Sequence, residues 1–107
     1  MRLTLPHQTT QENAILVIDQ TLDSLMKQKF SGIEIIDPEK KWDGNIMRYY
    51  FLVEKLFLSL EFSGTIIVTD QEVVGEGNIP NIVTTFFPED KIKEVIKKKF
   101  NEIFNIK

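Results

Sequence analysis

One histidine occurs in the chain, His7, within the stretch LPHQTTQE directly before a predicted helix. A histidine in this position could serve as a general base, a metal ligand or a pH switch. The surrounding sequence supplies no nucleophile or orienting acid at a recognisable spacing, and a metal site would lack a second histidine. We therefore interpret His7 as a turn residue. Its replacement by alanine should change the free energy of unfolding by less than about 1 kcal/mol.

Neighbouring carboxylates are the other candidates for acid–base chemistry. They occur as three pairs, Asp37 and Glu39, Asp70 and Glu72, and Glu89 and Asp90. Every pair falls in a predicted turn or at a predicted helix start, where acids bind backbone amides or favour the helix dipole. We interpret them as solvated structural acids and assign no catalytic residue. Enzymatic activity stays an open question, with a non-enzymatic role favoured.

Two further patterns argue against common cofactors and partners. GEGNIP, at Gly75–Pro80, begins like a dinucleotide-binding loop, but proline stands where the third glycine is needed and no helix is predicted after it. RYYFLVEKLF, at Arg48–Phe57, mixes aromatic and basic residues but lacks the glycine-punctuated pattern of an RNA-binding sheet. The chain has no cysteine, which excludes disulfides, thiolate catalysis and cysteine-ligated zinc. We expect no cofactor, no metal and no nucleic acid partner.

The composition predicts one globular domain spanning residues 1–107. Hydrophobic residues make up 42% and charged residues 27%, and the net charge is -3. No apolar run approaches the roughly 20 residues of a transmembrane helix, and the first residues lack the basic and apolar regions of a signal peptide. We therefore expect a cytoplasmic protein without a transmembrane segment. The negative net charge argues against a protein that coats DNA.

Two amphipathic helices are predicted near the ends of the chain. Thr9 and Glu12 have the spacing of a capping box, so the first helix should begin at Thr10, and its apolar stripe ends near Phe30. Pro88 should occupy the first position of the second helix. The apolar stripe of the second helix consists of Ile92, Val95, Ile96, Phe100 and Ile103. Its opposite face is basic, with Lys91, Lys93, Lys97, Lys98 and Lys99.

Between these helices apolar residues recur at every second position, as in strands with one buried face. Asp43-Gly44 is a strong hairpin signal. Pro38 should mark a bulge or an edge strand, because proline cannot donate a hydrogen bond to a sheet. The predicted strands are 3–5, 32–42, 45–54, 56–69 and 72–79. The sequence thus predicts an α+β fold in the order β-α-β-β-β-β-α, an antiparallel meander with both helices on one face.

The predicted strand 45–54 is apolar on both of its faces. Two helices are too few to cover both faces of a five-stranded sheet, so one apolar face should lack intramolecular cover. A face of this kind commonly contacts a partner. We predict an interaction face made of Ile46, Tyr50, Leu52, Phe57 and Ile67. The expected partner is a second copy of the chain, giving a homodimer, or a lipid or hydrophobic polymer.

Four stretches resemble the polyhydroxyalkanoic acid system family, small bacterial proteins named for their association with polyester storage granules. They are LPHQTTQENA, WDGNIMRYYF, SGTIIVTDQEVVGEGNIP and IKEVIKKKF. The resemblance covers nearly the whole chain, which differs by extra residues between Phe51 and Gly64. It implies a non-enzymatic protein of a granule or lipid-storage system. It implies no catalytic residues, so none is carried over to His7 or Trp42.

Two functional hypotheses follow. The first is a binding module whose sheet, backed by helices, meets a hydrophobic polymer, a lipid or another copy, with a contribution from the basic helix at a lipid surface. The second is a START-like carrier of lipid or acyl ligands, or a cyclase-like enzyme, because a curved antiparallel sheet and a long C-terminal helix enclose a cavity in that fold. Saturable stabilisation by fatty acids or hydroxyacyl compounds would distinguish the carrier from the surface module.

Overall fold

The computed structural model describes residues 1–28 and 31–107. Within these residues five strands form one antiparallel sheet, and three helices accompany it. The elements are, in chain order, β1 (Arg2–Pro6), α1 (Gln11–Lys27), β2 (Glu34–Asp43), β3 (Ile46–Lys55), β4 (Leu58–Val68), β5 (Glu72–Asn78), α2 (Asn81–Phe86) and α3 (Glu89–Ile103). The predicted α+β class and antiparallel sheet are confirmed. The short helix α2 is an addition to the predicted order.

The strands lie in the order β1-β5-β4-β3-β2, and every neighbouring pair is antiparallel. The four strands from β2 to β5 are therefore a meander, and β1 joins it beside β5. Because β1 and β2 form opposite edges of the sheet, the connecting helix α1 has to cross the sheet. Among the described residues, the core cluster places α1 and α3 against one face of the sheet, through contacts with Val68 and Val73.

Proline at position 38 produces the irregularity that the sequence predicts. Ile36 pairs with Leu52, and Glu39 pairs with Tyr50, so two residues of β2 oppose one residue of β3 between these pairs. The bulge prediction is confirmed, and β2 is also an edge strand. An edge interrupted by a bulge and a proline is a poor template for an added strand.

The β2–β3 turn lies one residue later than the sequence pattern predicts. Asp43 pairs with Ile46, so the two turn residues are Gly44 and Asn45. Gly44 has a φ of 62°, a left-handed conformation that costs little without a side chain. Asn45 fixes this turn to the end of β4, because its side-chain amide donates to the Val68 carbonyl at 2.8 Å.

The β3–β4 turn was expected to belong to one long strand, 56–69, and this expectation is wrong at its first two residues. Leu56 and Phe57 form the turn between the paired residues Lys55 and Leu58. Leu56 has a φ of 56°, which is uncommon for a bulky residue. Because the turn contains no glycine, asparagine or aspartate, the usual turn signals were absent from the sequence.

Helix α1 begins at Gln11, and its N-cap is Thr10 rather than the predicted Thr9. The Thr10 hydroxyl accepts a hydrogen bond from the Asn13 amide at 3.1 Å. Thr9 lies one residue outside the cap, and its hydroxyl accepts from the Asn13 side chain. Two adjacent threonines make the spacing ambiguous, and the backbone geometry selects the second. The end of this helix predicted near Phe30 lies outside the described residues.

Helix α3 begins at Glu89, one residue later than predicted, and Pro88 is its N-cap residue rather than its first helical residue. The short helix α2 precedes it and buries none of its residues. The Thr84 and Thr85 hydroxyls each donate to the Asn81 carbonyl. Threonine, valine and isoleucine lose side-chain freedom in a helix, which explains why this segment did not read as helical.

The hydrophobic core lies between the helices and one face of the sheet, which we call the covered face. On β3 this face carries Met47, Tyr49, Phe51 and Val53, the odd-numbered residues. Buried Ala14 and Ile18 of α1 and buried Phe100 of α3 meet Val68 and Val73 of the sheet, and Leu5, Ile15, Leu22, Trp42, Ile66, Phe104 and Ile106 pack around them. Sheet positions on this side carry no carboxylate.

Two glycines shape the covered face. Gly64 and Gly77 are directly paired, and Tyr49 is the partner of Gly64 on the other side. A β-carbon would lie 2.6 Å from the Tyr49 hydroxyl at Gly64 and 2.5 Å from it at Gly77. The hydroxyl end of the Tyr49 side chain therefore occupies the space that β-carbons would take at both glycines, and aromatic side chains can compensate for glycine within sheets. Burial raises the pKa of the Tyr49 phenol.

Candidate functional site

His7 is a turn residue, as predicted, but it is not a surface residue. Its side chain is only 1% exposed. Nε2 lies 2.9 Å from the Thr69 carbonyl, and the Thr9 amide donates to Nδ1 at 3.1 Å. Since a carbonyl can only accept, Nε2 carries the proton. His7 thus joins the end of β1 to the β4–β5 turn, and its burial removes the reason for expecting a surface-like cost for His7→Ala.

The candidate carboxylates lie where structural acids are useful. Asp37 lies in the bulge of β2 and Glu39 directly follows the bulge. Asp70 and Glu72 bound the β4–β5 turn, and Glu89 and Asp90 form the first turn of α3. All six are exposed. Across residues 1–28 and 31–107, no group of three or more histidine, cysteine, aspartate or glutamate side chains is placed to hold a metal ion.

A polar cluster that the sequence did not indicate joins α1 to the edge strand β2. The Lys40 ammonium lies 2.6 Å from Asp19 and 2.5 Å from Asp23. The indole of Trp42 donates to the same Asp19 carboxylate at 2.8 Å. Lys40 and Asp19 are 21 residues apart in sequence. They come together only because α1 crosses the sheet. The side chains stabilise the position of the helix and leave no free catalytic group.

Ionisation of this cluster is coupled to its hydrogen bonds. Hydrogen bonds from Lys40 and then from Trp42 lower the pKa of Asp19. For Lys40, burial opposes the charged form, but hydrogen bonds to Asp19 and Asp23 outweigh burial and raise its pKa. Both shifts favour the ion pair. The pair is therefore a fixed link between helix and sheet.

The other face of the sheet, which we call the open face, carries four of the five predicted interaction residues. On β3 the even-numbered residues Ile46, Tyr50 and Leu52 lie on this face, and Ile67 joins them as the partner of Ile46. Phe57 does not, because it lies in the β3–β4 turn, fully exposed. The open face also carries Arg2, Thr4, Pro6, Lys41, Arg48, Ser63, Thr65, Glu76 and Asn78.

The apolar residues of the open face form two separate groups. Ile46 and Ile67 extend to Val74 of β5, which is 8% exposed. A polar row, which includes Arg48 and its partner Thr65, divides this group from the second one. The second group consists of Ile36, Tyr50 and Leu52, all half-buried, and we call it the apolar strip.

Five exposed carboxylates surround the apolar strip, and we call the strip and these carboxylates together the acidic patch. The carboxylates are those of Glu34, Asp37, Glu39, Glu54 and Glu61. Glu39 is the partner of Tyr50, and Glu61 is the partner of Leu52. Lys41 and its partner Arg48 occupy the next row beyond Glu39 and Tyr50, so two cations border the acidic patch on that one side. The acidic patch therefore combines an apolar centre with a negative rim.

The negative charges of the acidic patch affect the pKa of the Tyr50 phenol. The pKa of its phenol is raised, first by partial desolvation and then by the negative charges of Glu61 and Glu39. Asp37 contributes in the same direction. Anions disfavour the ionisation of a neighbouring phenol, so the direction of the shift agrees with a locally negative surface.

The predicted basic face of α3 is largely solvent-exposed. Lys91, Lys97, Lys98 and Lys99 are exposed and Lys93 is half-buried. Val95, which was expected in the buried stripe, is 69% exposed, whereas Phe100 is buried as expected. The buried apolar stripe of α3 is narrower than predicted, because only one side of α3 faces the sheet. Between Lys91 and Lys99, five lysines stand against the single acid Glu94.

Large apolar side chains are also exposed between β5 and α3. Phe86 is 73% exposed and Phe87 is 61% exposed. Both residues directly precede the cap of α3, so they are close in sequence to its first lysine. Exposed aromatics beside lysines are typical of segments that bind the interface of a membrane.

A cavity of about 810 Å³ opens between the end of α1 and the edge of the sheet. Its apolar lining consists of Met26, Ile33, Ile35 and Leu56. Glu34 and Glu54 line it as well, so it borders the acidic patch. The cavity is the location at which a carrier of small hydrophobic ligands would hold them.

No protein-family model, curated protein or solved structure matches this chain. The helices of the described residues are each too short or too polar to cross a membrane. The case for a function therefore depends on the chemistry of the surfaces described above.

Proposed function

We propose that this chain is a non-enzymatic interaction module that binds a cationic amphipathic segment on the open face of its sheet. The observation that carries the proposal is the acidic patch, where half-buried Ile36, Tyr50 and Leu52 are surrounded by five carboxylates. A partner with a row of apolar side chains flanked by lysines or arginines would cover the strip and neutralise the rim.

Charge complementarity raises the association rate of such a complex and makes it selective for cationic partners. Carboxylates around an apolar centre attract cationic partners over the Debye length, about 8 Å at physiological salt. They also repel acidic partners, including a second acidic patch. Binding should occur on the face rather than along the edge of the sheet, because the bulge and Pro38 interrupt the edge strand β2.

The proposal is tested with a synthetic helical peptide made of leucine, lysine and alanine, labelled for fluorescence anisotropy. We expect saturable binding that weakens with salt and is absent for the same peptide with glutamate in place of lysine. Leu52→Glu should abolish binding, and Thr4→Glu is the matched control on the same face, distant from the patch. Equal loss in both variants, or no binding by the wild-type chain, would contradict the proposal.

Attachment to a lipid or polyester surface is the second candidate, as the resemblance to a granule-associated family implies. Its support is the pair Phe86 and Phe87, both largely exposed, next to the lysines of α3. Flotation with vesicles containing phosphatidylglycerol tests it. Phe86→Ser with Phe87→Ser should release the chain from vesicles, and binding that is indifferent to this change would argue against the candidate. A cytoplasmic location belongs to the same proposal, supported by the absence of cysteine.

A small-ligand carrier is the remaining alternative, and the cavity at the end of α1 is the observation in its favour. Fatty acids and hydroxyacyl compounds should then raise the melting temperature in a saturable way. Ile35→Trp, which would fill the cavity, should remove this effect. A melting temperature that no such compound raises would leave the interaction module as the better account.

A further inference from the structure

We infer that the partner of the acidic patch is the basic side of α3 from a second copy of this chain. The inference rests on the proposed function and names its partner. The acidic patch and the basic side of α3 are complementary in charge, and each chain carries both surfaces in different places.

The exposed side of α3 has the pattern that the acidic patch requires. Lys91, Val95 and Lys98 are spaced at i, i+4 and i+7, so they lie in one row along the helix. Val95 is 69% exposed, and the two lysines beside it are exposed as well. The row therefore has an apolar centre with a lysine at each end, and the exposed acid Glu94 lies beside it. The patch has an apolar centre with a negative rim.

The two surfaces also match in length. From Lys91 to Lys98 the helix rises about 10.5 Å, at about 1.5 Å per residue. From Tyr50 to Glu54 the strand extends about 13 Å, at about 3.3 Å per residue. The basic stretch of the helix can thus lie across the apolar strip with its lysines near carboxylates at both ends.

Within one chain these two surfaces cannot meet. The opposite side of α3 packs on the covered face through Phe100, which joins the core cluster of Val68 and Val73. The acidic patch lies on the open face of the same sheet. Contact between them therefore requires two copies, and it either closes reciprocally in a dimer or continues from head to tail.

A symmetric contact of patch with patch is disfavoured by the same charges. It would bring five carboxylates of one copy close to five of the other, with Lys41 and Arg48 at only one border of each patch. Like charges facing each other across an interface cost several kcal/mol. The predicted homodimer is therefore expected to form through two unlike surfaces.

Charge exchange between the two surfaces tests the inference. The sheet variant carries Glu39→Lys and Glu61→Lys, and the helix variant carries Lys91→Glu and Lys98→Glu; all four side chains are exposed. In sedimentation velocity we expect the wild-type chain to associate, and each variant alone to associate at least about tenfold more weakly. An equimolar mixture of the two variants should associate again, as should one chain with all four changes.

A matched control separates this effect from net charge. Glu12→Lys with Asp70→Lys makes the same change in charge as the sheet variant, at exposed positions outside the patch. This control should associate like the wild-type chain. If the lysine variant of the sheet fails to fold by circular dichroism, Glu39→Gln with Glu61→Gln replaces it, and this pair should weaken association without regaining it from the helix variant.

Three results would overturn the inference. They are a wild-type chain that stays monomeric, a mixture of variants that does not associate, and a control that loses association equally. If the wild-type chain is monomeric but still binds the cationic peptide, the proposed function stands and only the choice of partner is wrong.

Discussion

The two faces of strand β3 carry similar numbers of apolar side chains but differ in burial and in the charges around them. On the covered face, Met47 is fully buried beneath the helices. On the open face, Tyr50 and Leu52 are half-buried and are surrounded by carboxylates. Apolar content alone does not distinguish a core face from a half-buried one. Cover by α1 and α3 and the distribution of charge distinguish them.

The largest difference between the faces should appear when apolar side chains are truncated. Met47→Ala should lower the free energy of unfolding by about 2–5 kcal/mol, because it leaves a cavity in a packed core. Leu52→Ala, five residues along the same strand, should cost less than about 1 kcal/mol. Urea unfolding followed by circular dichroism measures both. Equal costs would mean that the open face is also part of a core.

Substitution of His7, at the end of the covered face, gives a second measure of how much the buried residues contribute to stability. His7→Ala should cost about 2–4 kcal/mol, because it removes a buried ring and leaves the Thr69 carbonyl and Thr9 amide without their partners. His7→Gln, which can place a donor near Thr69, should recover part of the loss. Thermal and urea unfolding give the values. A cost below 1 kcal/mol for alanine would restore the surface interpretation.

Lys40→Met tests the link between α1 and the edge of the sheet. We expect a cost of about 1–2 kcal/mol, reduced by solvent because Asp19 and Asp23 are partly exposed. Asp19 has a lowered pKa, so its contribution is present above the unfolded value of 3.8 and declines as the pH falls below it. The raised pKa of Lys40 means that its contribution is present below 10.5 and is lost at higher pH. The difference between the wild-type and variant chains should therefore be constant near neutral pH and shrink below pH 3.8.

The smallest effect belongs to the cap of α1, which lies outside both faces. Thr10→Ala should cost about 1 kcal/mol, because the hydroxyl that binds the Asn13 amide is lost. Thr9→Ala should cost only a few tenths of that, about 0.3 kcal/mol, since its exposed hydroxyl bonds only a side chain. Melting temperatures of the two variants decide the assignment. The reverse ranking would place the cap at Thr9.

Local patterns account for the part of the fold that was predictable. Alternation of apolar residues located the strands, the i, i+4 recurrence located α1 and α3, and Pro38 located the bulge. Local sequence patterns predicted the wrong N-cap of α1, because the adjacent residues Thr9 and Thr10 are both suitable cap residues. They also failed where the turn residues were unusual, as with Leu56 and Phe57. Burial of His7 depends on β1 joining β5, a pairing between distant segments that no local pattern encodes.

The apolar residues of the candidate site were predictable from the sequence, but the positions of the surrounding acids were not. The alternation along β3 placed Ile46, Tyr50 and Leu52 on one face. The acids around Tyr50 come from β2 and β4, and their positions depend on the bulge and on the register of both hairpins. One residue of slip would send Glu39 or Glu61 to the other face. The acidic patch therefore became visible only when the pairing was known.

Methyl resonances in a heteronuclear NMR titration with the leucine–lysine peptide test the central claim most directly, because neighbouring residues of one strand report opposite faces. If the peptide binds the open face, we expect the Leu52 and Ile36 methyl resonances to shift with saturation. The methyls of Val53 and Ile35, adjacent in sequence and on the covered face, should stay in place. Shifts confined to Val53 and Ile35 would place the ligand on the helix side, and would contradict the assignment of the open face as the recognition surface.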